Sequence, residues 1–232
     1  MDAAQRSARI AGGALPRHRS SRRSLRWPPS NRSSTIPKGY IAGGGHDTRI
    51  YLAALLELLL MVVNIGTAVV PLLTLRREND SLALGYVTAR IMESMFIAIG
   101  ILAVLAVVTL RNDAGADAAS LGGYAESLAA IKDWTFLLGP GFVVGIGNGL
   151  ILGYLMYRSS LVPRRMAMLG LIGGPLIILS GIGVLLDLFE AGGPVQAIAT
   201  IPEFFWELSL GIYLTVKGFR TQPVLSGETR HA

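Results

Sequence analysis

The chain has 232 residues, 51% of them hydrophobic and only 16% charged, against roughly 25% charged in an average soluble domain. A water-soluble globule of this length needs more charge to cover its surface, so the composition argues for a membrane protein of one domain. With no cysteine, disulfides, thiolate catalysis and cysteine metal sites are excluded. The net charge of +6 is uneven: ten of the 21 Lys/Arg lie before residue 50, accompanied there by only Asp2 and Asp47. Beside a lipid-like remainder this block reads as a tail next to a membrane, and no nucleic-acid partner is implied.

A spanning helix needs about 20 mostly apolar residues, and five stretches qualify. The first runs from Ile50 to Leu75 and the second from about Leu84 to Leu110. The third is Trp134 to Tyr157, the fourth Met166 to Phe189, and the fifth about Ile201 to Val216. In hydrocarbon an open sheet would leave backbone groups unpaired, so all five are expected to be helices. The expected fold is an all-α polytopic bundle over residues 40–220, with residues 1–39 a basic tail and residues 221–232 a cytoplasmic one. The connection Arg111 to Asp133 is polar and Gly/Ala-rich, with room for a short interfacial helix.

Basic residues in short loops set the expected orientation. The third-to-fourth connection carries Arg158, Arg164 and Arg165 and no acid, which puts it in the cytoplasm. The fourth-to-fifth connection has no Lys or Arg and belongs outside. The C-terminus, with Lys217, Arg220 and Arg230, belongs inside, as does the Arg76–Arg77 turn; the long acidic connection belongs outside. The address is thus a bacterial plasma membrane with a cytoplasmic C-terminus. Five spans then leave the most basic segment outside, against the same rule. Either residues 15–39 are a genuine basic tail that translocates, or they replace a first span through a disrupted reading frame. In a GC-rich gene an apolar stretch read out of frame tends towards Arg/Pro/Ser text, and the apolar piece from Ser7 to Leu15 stops abruptly at such text.

Ionisable residues inside spans are costly and usually face the bundle interior. Glu57 and Asn64 share one face of the first span. Arg90 and Glu93, three apart in the second, are able to pair. Asn148 lies near the centre of the third span and Glu207 in the fifth. Asn64, Glu93, Asn148 and Glu207 fall at similar depth, so these six residues form a candidate polar layer. Two have plainer explanations: Arg90 is near enough to an interface to snorkel, and Arg90–Glu93 makes a neutral structural pair. Glu203, three residues after Thr200, fits a helix-capping box. The third span also carries glycines at an unbroken spacing of four, Gly141, Gly145, Gly149 and Gly153. Such a stripe lets a second helix backbone come close, as a seam within the chain or as a surface for a homo-oligomer or another membrane partner. Gly147, off the stripe, is expected to tolerate substitution better.

From Tyr40 onward the text resembles a bacterial family of multi-pass membrane proteins catalogued as domain of unknown function 4386. The resemblance rests on YIAGGG at Tyr40, NIGTAVVPLL at Asn64, ALGYVTARIMES at Ala83, WTFLLGPGFVVGIGNGLILGYLMYRSSLVPRR at Trp134 and PEFFWELSLGIYLTVKGF at Pro202. It covers roughly residues 40–220 and implies six spans, the first opening in a phrase like SARIAG, which this chain keeps without the helix. The family implies a membrane address and no activity.

Enzyme signatures such as HExxH, GxSxG and a Walker A loop are absent, and His18, His46 and His231 share no ligand spacing. No catalytic residue, cofactor or metal is expected. Two functions remain: a structural or accessory bundle in the lipid bilayer, or a small transporter or channel whose midplane polar layer handles a proton, an ion or a small solute. Transport needs a water-accessible route to Glu93 or Glu207; a structural role needs those carboxylates sealed and paired.

Overall fold

The structure, a computed structural model, describes residues 40, 46–113 and 118–220. The expected tails at 1–39 and 221–232, and with them the disrupted first span, lie outside the described residues. Among the described residues there is no strand. Helix α1 (Asp47–Glu78) and α2 (Asp80–Asp113) are joined by Asn79 alone. That turn is so short because Asn79 serves both helices: its backbone N–H donates to the Leu75 carbonyl, and its side-chain oxygen accepts from the Leu82 N–H at 2.9 Å. Then come α3 (Ala118–Phe136), two π-helical segments (Leu137–Val143 and Gly145–Leu152), α4 (Gly153–Ser159), α5 (Arg164–Leu185) and α6 (Pro194–Lys217).

The wide turns at 137–152 have a local cause. Pro140 has no N–H to donate and its ring clashes with the carbonyl four residues back in an α-helix. A π turn bonds one residue further back, and here Val144 N–H reaches the Gly139 carbonyl while Gly153 N–H reaches that of Asn148. The glycines around Pro140 offer no Cβ to oppose the widening.

Neighbouring helices pack in sequence: α1 on α2, α2 on α3 and the π segments, these and α4 on α5, and α5 on α6. The share of each apolar stretch that is buried rises from 22% in α1 to 61% in the 121–159 rod, so the π segments run through the centre and α1 lies at the periphery. At the end bearing Arg76 and the 158–165 connection, Leu75, Tyr86, Leu155, Leu161, Ala167 and Trp206 form the main apolar core. Ile50, Val104, Val107, Val108 and Ala125 pack beneath Tyr40 at the other end.

Three boundaries differ from those expected. The Arg111–Asp133 connection is not a loop with a short surface helix: α3 begins at Ala118 and continues without a break into the third span, giving an apolar helix of 39 residues, Leu121–Ser159. The fourth span ends at Leu185 rather than Phe189, because Phe189 folds back and its ring occupies the space a Cβ on Gly183 would take. The fifth starts earlier, at Pro194, whose missing N–H costs nothing in a first turn. Four helices, Asp47–Glu78, Asp80–Asp113, Leu121–Ser159 and Arg164–Leu185, are long and apolar enough to cross a membrane. Helix α6 is not among them; Pro202, Glu203 and Glu207 interrupt its apolar text.

Candidate functional site

The first polar cluster joins α1 to α2. Arg90 Nη1 donates to Glu93 Oε2 at 2.7 Å, and Asn64 Nδ2 donates to Glu93 Oε1 at 3.0 Å. Each carboxylate oxygen therefore has a donor. Arg90 Nη2 continues to the Thr67 hydroxyl at 3.3 Å, and that hydroxyl donates to the Asn64 carbonyl at 2.9 Å. The helical spacing makes this closure work: Asn64 and Thr67 are one turn apart on α1, and Arg90 and Glu93 one turn apart on α2. Asn64, Arg90 and Glu93 are 3%, 8% and 5% exposed, so Arg90 pairs within the bundle rather than snorkelling.

The second cluster lies between the second π segment and α6. Asn148 Nδ2 donates to Glu207 Oε1. The Asn148 backbone carbonyl accepts both the Gly153 N–H of its own helix and the Trp206 indole N–H, the latter at 3.0 Å. Trp206 is fully buried against Gly170 of α5, where a Cβ would strike its indole. Unlike the other members of the expected layer, Glu207 is exposed. Its charge and that of Arg90 nonetheless both act on Glu93 and on Glu203, so the two clusters share one electrostatic neighbourhood.

Glu203 departs furthest from its sequence reading. The helix begins about two turns earlier than a Thr200 cap would require, and the Thr200 hydroxyl donates to the Gln196 carbonyl inside α6. The Glu203 carboxyl is therefore no cap. It is 2% exposed, and neither of its oxygens has a hydrogen-bond partner. The only signal for it was its spacing of four from Glu207, which puts both acids on one helix face.

Glu57 belongs to neither cluster. Both its oxygens accept from Lys132 Nζ at 2.6 Å. Lys132, placed by its sequence in a loop, is 6% exposed inside the 121–159 helix, so it joins Arg90 as a basic residue within the spans. The pair borders a cavity of about 40 Å³ lined also by Ile97, Thr135 and Pro140, enough for about three waters at about 10–15 Å³ each.

The glycine stripe splits as well. A Cβ on Gly145 would sit 2.6 Å from Ile177, on Gly149 2.4 Å from the Gly174 Cα, and on Gly153 3.2 Å from the Leu171 nitrogen, all on α5. Gly141 meets only Leu137 and Phe136 of its own helix. A partner docking on this stripe would first have to displace α5. Gly147, expected to be tolerant, is pressed against α2, where its Cβ would lie 2.6 Å from that of Ala89. The stripe and the off-stripe glycines thus serve two opposite neighbours of one central helix.

Several long apolar helices packed side by side, with polar side chains closed off among them, define the class: a helical integral membrane protein in contact with the lipid bilayer. Residues 37–218 match the family model described as domain of unknown function, DUF4386. The chain belongs to that family. No curated protein and no solved structure matches it.

Proposed function

We propose that this protein is a non-enzymatic, structural or accessory helical bundle of the bacterial plasma membrane, with α6 as a fifth crossing and the C-terminus in the cytoplasm. What supports a structural role is the closure of Arg90, Glu93, Asn64 and Thr67 into a sealed set in which both oxygens of the buried carboxylate are satisfied. The cavity beside Glu57 is lined by neither Glu93 nor Glu207. Intramembrane charges that pair off in this way fasten helices together. The orientation rests on Arg158, Arg164 and Arg165, and a single cysteine at Ser160 is expected to be shielded from an impermeant thiol reagent in intact cells.

One observation favours transport of a proton, an ion or a small solute: Glu207 is exposed while bonded to the buried Asn148. Purified protein in liposomes loaded with a pH-sensitive dye separates the two. A structural bundle gives no flux above that of empty liposomes. Flux that depends on pH and disappears in Glu207→Gln establishes the transporter instead.

A further inference from the structure

Where α6 meets α5 and the second π segment, glycines lie against one buried carboxyl group. A Cβ on Gly173 would lie 2.6 Å from the Glu203 backbone nitrogen and 2.7 Å from its Oε2; a Cβ on Gly149 would lie 2.9 Å from the same oxygen. Glycine at both positions makes the niche that the Glu203 side chain fills. Both of its oxygens are buried without a donor, and so is Asn148 Oδ1 in the same region. These three acceptor atoms have no donor, while the one buried side-chain donor left unpartnered among the described residues, Arg90 Nε, is on α2.

A bare buried carboxylate must be paired, coordinated or neutralised. The charged groups that bear on Glu203 are Glu207, one turn along α6, and Arg90 on α2. Arg90 is committed to Glu93 at 2.7 Å. Glu207 carries the same sign as Glu203, and two acids spaced by four on one helix repel when both are charged. From α5 and the π segment, Gly173 and Gly149 lie against the Glu203 carboxyl. A hard cation such as Ca²⁺ takes about six to eight oxygen ligands, whereas Gly173 and Gly149 offer no side-chain ligand, and no group of three His/Cys/Asp/Glu able to hold a metal occurs among the described residues. A proton needs neither room nor a shell.

We propose that Glu203 is a proton-binding site, its carboxyl closed into the glycine niche in the neutral form. Ionisation of Glu203 sets a negative charge against two glycine faces, so release of the proton is coupled to parting of α6 from α5. This site stands independently of the structural role proposed above, and its test does not read flux.

The full chain in lipid nanodiscs is compared with Glu203→Gln and Glu207→Gln. At neutral pH the infrared spectrum is expected to contain the C=O stretch of a protonated carboxyl that vanishes in Glu203→Gln and persists in Glu207→Gln. Dicyclohexylcarbodiimide, an apolar reagent for protonated carboxyls, is expected to modify Glu203 of the wild-type chain, read by peptide mass spectrometry. That modification declines as the pH rises and is unchanged when sodium replaces choline at fixed ionic strength. Absence of the band, or its survival in Glu203→Gln, overturns the site. Protection of Glu203 by sodium overturns the proton in favour of an alkali cation. The wild-type arms hold even if Glu203→Gln folds poorly.

Discussion

Among the described residues two acids are buried, Glu93 and Glu203, and their surroundings differ. Glu93 sits between α1 and α2 with a guanidinium on one oxygen and an amide on the other. Glu203 sits between α6, α5 and the π segment against glycine, with nothing on either oxygen. The first arrangement exchanges hydration for charge-assisted hydrogen bonds, which are among the strong ones. The second allows very close helix approach and leaves a polar group unanswered. A bundle with few charged side chains within its spans thus has two ways to bury a carboxyl, and only one of them fastens helices through charge.

The largest effect expected from breaking that contrast is at Arg90. Arg90→Leu leaves Glu93 buried without its cation and is expected to cost about 3–5 kcal/mol, measured as loss of resistance to unfolding in detergent. Arg90→Lys keeps the charge, loses the planar fork, and is expected to cost clearly less. Glu203→Gln, a near-isosteric neutral replacement at a site with no ionic partner, is expected to leave stability close to wild type. A loss at Glu203→Gln as large as at Arg90→Leu would erase the distinction between the two acids.

Next come the glycines. Gly149→Leu forces a side chain against the Gly174 Cα and the Glu203 carboxyl and is expected to cost about 3 kcal/mol or more, at the upper end of overpacking penalties. Gly147→Leu, against Ala89 of α2, is expected to fall in the same class at about 1–3 kcal/mol. A wild-type thermal unfolding curve for Gly147→Leu would show that α2 does not press on the π segment.

A smaller effect is expected at the peripheral pair. Lys132→Met leaves Glu57, a partly exposed acid beside a cavity, without its donor. The expected loss is about 1.5–3 kcal/mol, the range for hydrogen bonds to charged groups, and Lys132→Met/Glu57→Leu together should recover part of it in a double-mutant cycle.

The smallest lies outside the spans. Tyr40 donates to Asp47, which also binds Arg111 Nη1 at 2.8 Å, while the Arg111 guanidinium lies 4.3 Å over the Tyr40 ring. Burial first, and the Asp47 hydrogen bond second, push the Tyr40 phenol above its ordinary value of 10.0. The unfolded chain therefore loses this proton first as the pH rises. The Tyr40 contribution is fully present below pH 10.0 and is lost as the pH climbs through the raised folded value. Tyr40→Phe is expected to remove that alkaline component from a plot of melting temperature against pH, at the cost of one hydrogen bond at neutral pH.

Much of the fold was legible because hydrocarbon dictates it. Long apolar runs have to be helices in a membrane, and their text alone located four helices long enough to cross one, together with the membrane class and the family. The pairing of Arg90 with Glu93 was legible as well, since a spacing of three on one helix is local geometry. What was hidden depended on contacts between segments distant in sequence. Lys132 looked like a loop residue until Glu57, 75 positions away, gave it a partner inside the bundle. Glu203 matched a capping phrase, but α6 already begins at Pro194, a start signal in the text itself; what the text did not hold is that Gly173 of α5 lies against the Glu203 carboxyl. A run of glycines states that something comes close; it does not state what. Only the tertiary structure decided that Gly145, Gly149 and Gly153 meet α5 while Gly139 and Gly147 meet α2, because the side chain of glycine carries no information about its neighbour and the packing of the other helices supplies all of it.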